Sequence, residues 1–184
     1  MESAMRLFTA LDLAPGVAAN LERLLERLRP TARVQWSPPA NLHITTKFIG
    51  EWPDHRLAEL KTALAALPAR AAIQVRIHHL GFFPSPHAPR IFWCGIEAPG
   101  LAELAGEPDR ATAALGVEPE TRAFSPHLTL ARIKDRLNPQ PLREAIAGLP
   151  ELEFGSFVAA GFCLYQSQLR PGGSVYTKLA EYPF

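Results

Sequence analysis

Two runs in this sequence, HITTKFI from His43 and HLTLARI from His127, each place a threonine two residues after a histidine. Both runs read as buried strands, and along a strand residues i and i+2 share a face. His43 therefore projects with Thr45, and His127 with Thr129. Alone, each pair reads as a histidine satisfied by a backbone carbonyl beside a β-branched strand former. Two pairs in matching contexts are harder to dismiss. With nine threonines in 184 residues, two such coincidences among six histidines have a chance of about 0.04.

Two imidazoles facing one cavity suit an in-line displacement at phosphorus. A neutral histidine takes a proton from the attacking water while a protonated one gives a proton to the departing oxygen. Unperturbed histidine titrates near pH ~6.5, so both forms exist at neutral pH, and each transfer is worth roughly 10²–10⁴-fold. The Thr45 and Thr129 hydroxyls can donate to the non-bridging phosphoryl oxygens, whose charge grows in the transition state. Such chemistry requires no metal. A zinc site would want a third ligand, with Asp12 or Glu51 recruited from elsewhere, and the chain carries no HExxH or clustered carboxylates. Nucleophilic catalysis finds no GxSxG or reactive-cysteine context. The near symmetry of the motifs leaves donor and acceptor undistinguished.

The fifth residue after each histidine is Phe48 in one run and Arg132 in the other. The arginine could clamp a phosphate and the phenylalanine stack on a base. Strict alternation puts both on the face opposite the histidines, so either role requires the strand to twist, bulge or end there. Lys47 alternates onto the face of His43, where it would add positive charge, but it reads equally as a solvated strand lysine. His55 is expected to be exposed, His78 and His79 to point to opposite faces of one strand, and His87 and Arg90 to lie in the stiff loop FPSPHAPR.

The elements that must hold these residues alternate along the chain. RLFTALDL reads as a strand, and a helix begins at Pro15, with Val17, Leu21, Leu24, Leu25 and Leu28 at helical spacing before Pro30. RVQW and LHITTKFIG are strands separated by SPPAN. Asp54 can cap a second helix carrying Leu57, Leu60, Leu64 and Leu67 on one face. IQVRIHHL and IFWCGI are strands, and a third helix from Leu101 towards Leu115 is expected to break or kink near Gly106 and Pro108. HLTLARI, a short helix in PQPLREAIAGL, a strand pair in EFGSFVAAGFCLYQSQL hinged near Gly161, and the strand VYTKLAEY complete the chain. Each histidine strand is followed by a helix and another strand, which suggests that the two halves are pseudo-equivalent lobes. The pattern implies an α/β or α+β sandwich.

Composition agrees. Apolar residues make up 47% and 19 basic residues nearly balance 18 acidic ones, so the expectation is a folded globule without a global field for duplex nucleic acid or anionic membrane. Cys94 and Cys163, without CxxC spacing, are expected as buried free thiols. No signal-peptide pattern or membrane-length apolar run is evident, which points to a soluble, cytoplasmic protein, with a monomer as the default.

The paired motifs resemble those of the 2H phosphoesterase superfamily. The closer similarity is to the RNA 2′,3′-cyclic phosphodiesterases, also called 2′-5′ RNA ligases. It covers almost the whole chain: RLFTALDL, VQWSPPANLHITTKFIGE, LGFFPSPHAPRIFWCGIE, FSPHLTLARI and FCLYQSQLRPGGSVYTKL. The resemblance implies one bilobal α+β domain over 1–184, with pseudo-symmetric lobes of antiparallel-type sheet, helices outside and the active-site cleft between. It implies cofactor-free, metal-independent hydrolysis of RNA 2′,3′-cyclic phosphate ends, tRNA fragments among them, to 2′-phosphomonoesters. His43 would be the proton donor, His127 the acceptor, and Thr45, Thr129 and Arg132 phosphate ligands. The reverse reaction would join a 5′-hydroxyl through a 2′-5′ bond. Small cyclic nucleotides, 2′-5′ oligonucleotides, or RNA-end binding without turnover are the alternatives. Two positions depart from the family pattern. Thr46 replaces a usually apolar residue and by alternation faces away from His43; His87 stands where a basic residue is common.

Overall fold

A computed structural model describes residues 3–184. The first strand, β1 (Ala4–Leu11), alternates so that Leu7 and Leu11 are buried on one side and Phe8 and Ala10 on the other. It pairs antiparallel with β3 (Ile44–Pro53) and β8 (Gly161–Arg170), and β8 pairs with β9 (Gly173–Pro183), giving the order β3-β1-β8-β9. A second antiparallel sheet has the order β2-β6-β5-β4-β7, built from β2 (Gln35–Trp36), β4 (Ile73–Phe83), β5 (Ile91–Glu97), β6 (His127–Arg132) and β7 (Glu153–Ala159).

Four helices pack against the sheets. In α1 (Pro15–Leu28) the expected stripe Val17, Leu21, Leu24, Leu25 and Leu28 is buried, and Asn20 Nδ2 donates to the Phe154 carbonyl of β7 at 2.8 Å. Asp54 does not cap α2 (Leu57–Ala65); it opens a 3₁₀ turn that precedes the helix. The third helix, α3 (Leu101–Ala113), runs through Pro108 without breaking, and the Thr112 hydroxyl donates to the Pro108 carbonyl at 2.7 Å. Burial of Leu101, Leu104, Ala105 and Pro108 itself holds the helix against the propensity cost of the proline. The last helix, α4 (Gln140–Ala147), packs near α1.

The strands around Gly161 do not pair with each other: β7 belongs to the second sheet and β8 to the first. This crossing also corrects the equation of halves with lobes. Each sheet takes strands from both halves, and α3, which follows β5 of the second sheet, packs on β3 of the first. One hydrophobic cluster accordingly runs through the molecule, from Leu7, Leu11 and Ile44 to Ile73, Val75, Phe92 and Leu128. A smaller cluster, Phe8, Ala10, Cys163 and Tyr165 with Tyr176 against it, occupies the opposite face of the first sheet. Cys94 and Cys163 are buried free thiols. Among the described residues, no helix is long and apolar enough to cross a membrane.

Candidate active site

His43 immediately precedes β3, and His127 is the first residue of β6. Beyond each histidine the burial follows the same course: Ile44 and Leu128 are buried, Thr45 and Thr129 half-buried. Both strands then break step at the same place. β1 pairs Ala10 with Thr45 and Thr9 with Lys47, which leaves Thr46 as an extra residue. β5 pairs Trp93 with Thr129 and Phe92 with Ala131, which leaves Leu130 as the extra one. Each motif therefore carries a β-bulge at its fourth position, and a bulge shifts the alternation of every residue after it. Thr46 and Lys47 are buried, as are Leu130 and Ala131, whereas Phe48 and Arg132 emerge exposed. The bulges return Phe48 and Arg132 to the face of the histidines and threonines, and the Phe48 ring lies 6.2 Å from Phe8 on that face.

The same shift overturns the expected direction of Lys47. It turns towards the helices, where its ammonium donates to Asp109 of α3 at 2.6 Å and to the Glu118 carbonyl at 3.0 Å. With 6% of its side chain exposed, its charge is committed to that pair. Thr46 faces away from His43 as alternation required, and its buried hydroxyl shares a 2.7 Å hydrogen bond with that of Thr9. Arg90 reaches the Lys134 carbonyl at 2.9 Å, tying its loop to the segment after β6.

A short tether joins the two motifs. Gln35 and Trp36 pair with Arg132 and Ala131. Ser37 then donates through its backbone N–H to the Leu130 carbonyl at 2.9 Å and through its hydroxyl to the Thr129 carbonyl at 2.7 Å. A 3₁₀ turn over Pro39–Asn41 follows, held to β9 by Asn41 Nδ2 donating to the Ser174 carbonyl at 2.7 Å, and leads directly to His43.

The histidines are set differently. His127 is exposed, and its Nδ1 lies 2.9 Å from the Ser125 carbonyl. A carbonyl only accepts, so Nδ1 carries the proton and Nε2 is left with a free lone pair in the neutral ring. His43 has 12% of its side chain exposed and packs against Tyr165, with ring centroids 4.6 Å apart, and against Tyr176 at 5.9 Å. Burial drives its pKa below the ordinary value, opposed by the nearby Asn41 carbonyl and by the charge of Asp12. Its buried Nδ1 makes no hydrogen bond of normal geometry, so the Asn41 carbonyl acts as a neighbouring dipole.

Asp12 continues the alternation of Phe8 and Ala10 past the end of β1. Its Oδ1 lies 3.6 Å from His43 Nε2 and accepts a short hydrogen bond from the Tyr165 hydroxyl. Its Oδ2 accepts from Lys178 Nζ at 2.6 Å and from the Cys163 thiol at 3.7 Å. Burial opposes ionisation of Asp12, but the bonds from Lys178 and Tyr165 outweigh it and hold the carboxyl below its usual range. Burial and the Asp12 charge push the Cys163 thiol up to about 11, so it is no nucleophile at neutral pH. Tyr165, Tyr176 and Lys178 escaped the sequence reading. The alternation in FCLYQSQ sets Cys163 and Tyr165 on one face, but nothing local says that β1 lies between β8 and β3 and so brings that face to His43.

Asp12, Cys163 and Glu181 present possible metal-ligand atoms within 4.8 Å of one another. The ammonium of Lys178 bridges the two carboxylates there, at 2.6 Å from Asp12 and 2.7 Å from Glu181, and takes the place a cation would need. A groove of about 430 Å³ runs from Asp12 and Cys163 past Phe157 to Tyr182, and neither histidine lines it. Each motif strand presents an imidazole and a half-buried threonine hydroxyl, followed by an exposed phenylalanine ring at Phe48 in one and an exposed guanidinium at Arg132 in the other.

The chain is similar to known proteins over nearly its whole length. The family described as "LigT like Phosphoesterase" matches residues 11–93 and 96–176, one motif in each stretch. The chain is 32% identical to the RNA 2′,3′-cyclic phosphodiesterase of Methanocaldococcus jannaschii, over 97% of this chain and all of that one. It is 34% identical to the protein of that name from Thermus thermophilus, over 97% of this chain and 89% of the other. The solved structure of TT0787, also from Thermus thermophilus, superposes with a TM-score of 0.80 at 29% identity, covering 97% of both chains.

Proposed function

Because the chain belongs to the LigT-like phosphoesterase family, we propose that it hydrolyses RNA 2′,3′-cyclic phosphate ends to 2′-phosphomonoesters with His43 and His127 as its acid–base pair. The observation that carries this reading is the repeated strand geometry. Each histidine shares its face with a threonine, and each motif bulges at its fourth position to bring out the fifth residue.

The steps follow from those groups. His127 Nε2 takes a proton from water as the water oxygen attacks phosphorus. The bond from phosphorus to the 3′ oxygen breaks, and His43 gives that oxygen a proton. Exchange with solvent resets both rings. Thr45 and Thr129 donate to the non-bridging oxygens as charge builds on them, Arg132 neutralises the phosphate, and Phe48 supports the base of the terminal nucleotide. No step calls for a metal or cofactor. The strained ring stores enough energy for the same ring opening with a 5′-hydroxyl in place of water, which forms a 2′-5′ bond as the 3′ oxygen leaves. The exposure of His127, Arg132 and Phe48 suits a polymer end better than an enclosed small nucleotide.

The deciding assay is turnover of a short RNA ending in a 2′,3′-cyclic phosphate, with EDTA present and the product phosphate mapped. Wild type is expected to form a 2′-phosphate at an unchanged rate in EDTA. His43→Ala and His127→Ala should each lower kcat by roughly 10²–10⁴-fold. A 3′-phosphate product would reverse the geometry of the leaving group. Loss of activity in EDTA would replace the two-histidine mechanism with a metal-assisted one.

A further inference from the structure

The two motifs are alike in strand geometry but not in what stands behind their histidines. We infer that Asp12 is a positioning residue that makes His43 the proton donor, so that the Asp12–Tyr165–Lys178 cluster breaks the symmetry of the site. The inference rests on the two-histidine reading above and assigns a residue outside both motifs.

A proton donor must be charged before it acts, and His43 is the more buried of the two histidines. Burial by itself favours the neutral ring. The groups facing it are few. From just past the end of β1 comes Asp12, 3.6 Å from Nε2. From β8 comes the neutral hydroxyl of Tyr165, and from β9 come Tyr176 and the ammonium of Lys178. The turn before β3 adds the Asn41 carbonyl. Lys178 opposes protonation of His43, but it is bonded to both Asp12 and Glu181, so its charge is largely spent on them. Burial still holds the ring below its ordinary basicity, and with the Asn41 carbonyl Asp12 opposes it, as the one carboxylate that favours a charged ring here.

Its own placement is over-determined. Tyr165 fixes Oδ1, the oxygen nearer to His43, while Lys178 and Cys163 hold Oδ2. At 3.6 Å the carboxylate is too far to hold the Nε2 proton in a strong hydrogen bond, so that proton stays available to the leaving oxygen. His127 has a carbonyl on Nδ1 instead and is exposed, the setting of a base whose lone pair is free.

The test is a pair of measurements on wild type, Asp12→Asn and Asp12→Glu. One is the titration of the His43 and His127 ring resonances by NMR, assigned with His43→Gln and His127→Gln. The other is kcat and KM on the cyclic-phosphate RNA. In Asp12→Asn the His43 resonance should titrate at lower pH while that of His127 stays in place. At neutral pH kcat should fall roughly ten- to a hundredfold with KM nearly unchanged, and Asp12→Glu should recover part of the loss. An unmoved or upward His43 titration, an equal movement of His127, or an unchanged kcat would overturn the inference. A wild type that fails to turn over the cyclic phosphate would overturn the functional reading and the donor role with it. The titrations would then still show whether Asp12 governs His43.

Discussion

As single residues, His43 and His127 carry the same chemistry in unlike surroundings. The pKa of His43 is lowered in the folded state, chiefly by burial, whereas in the unfolded chain it sits near ~6.5. The unfolded state therefore binds more protons between these two values. The stability contributed by the neutral ring is complete above pH ~6.5 and is lost as pH falls through the folded value. Asp12 is also lowered, but its loss belongs to a separate, more acidic window below about pH 3.9. Urea midpoints measured from pH 8 to pH 5 should fall for wild type and fall less steeply for His43→Gln. Parallel slopes would mean that the burial of His43 carries no linkage.

Among the elements, the bulges matter most. A one-residue insertion costs a strand little, yet it decides which side chains after it face the cleft and which face the helices. Lys47 marks the difference, because it lies one residue past the bulge and ends against Asp109. Lys47→Met leaves that carboxylate without its cation in a half-covered site. It should cost about 1–3 kcal/mol in urea unfolding while leaving KM for the cyclic phosphate unchanged. A raised KM with unaltered stability would return Lys47 to the substrate. Thr46 is a polar residue buried beside the bulge, and Thr9 on the neighbouring strand supplies its hydroxyl partner, so its burial leaves no unsatisfied group.

For the whole molecule, the interleaving of strands ties the lobes together. The core is continuous between the sheets, and α1 meets β7 at Gly155, whose φ of +120° favours glycine and whose added Cβ would lie 3.0 Å from Val17 Cγ2. Gly155→Ala should destabilise by about 1–3 kcal/mol through backbone strain and crowding of α1. Because one cluster serves both sheets, unfolding followed by circular dichroism and by tryptophan fluorescence should coincide, with Trp52 reporting from β3 and Trp36 and Trp93 from the other sheet. Two separated transitions would mean that the lobes fold independently, contrary to the expectation of one domain over 1–184.

What depends on neighbours in the chain could be read from the residues alone. The apolar spacing of α1, the period-two strands and the His–Thr pairs sharing a face all follow from helix and strand periodicity. The requirement that β3 and β6 depart from alternation if Phe48 and Arg132 are to reach the site was also legible there. Where the departure falls was set by the packed fold, because a bulge is defined by the partner strand, and the partners of Thr46 and Leu130 lie on β1 and β5. The packed fold likewise carried Pro108 through an unbroken helix, turned Lys47 inwards and interleaved the two halves. It also brought Tyr165 and Lys178 to Asp12 across 153 and 166 residues of chain, and all three to His43. Those contacts depend on sheet order, and sheet order comes from burying one shared core, which no local stretch of sequence encodes.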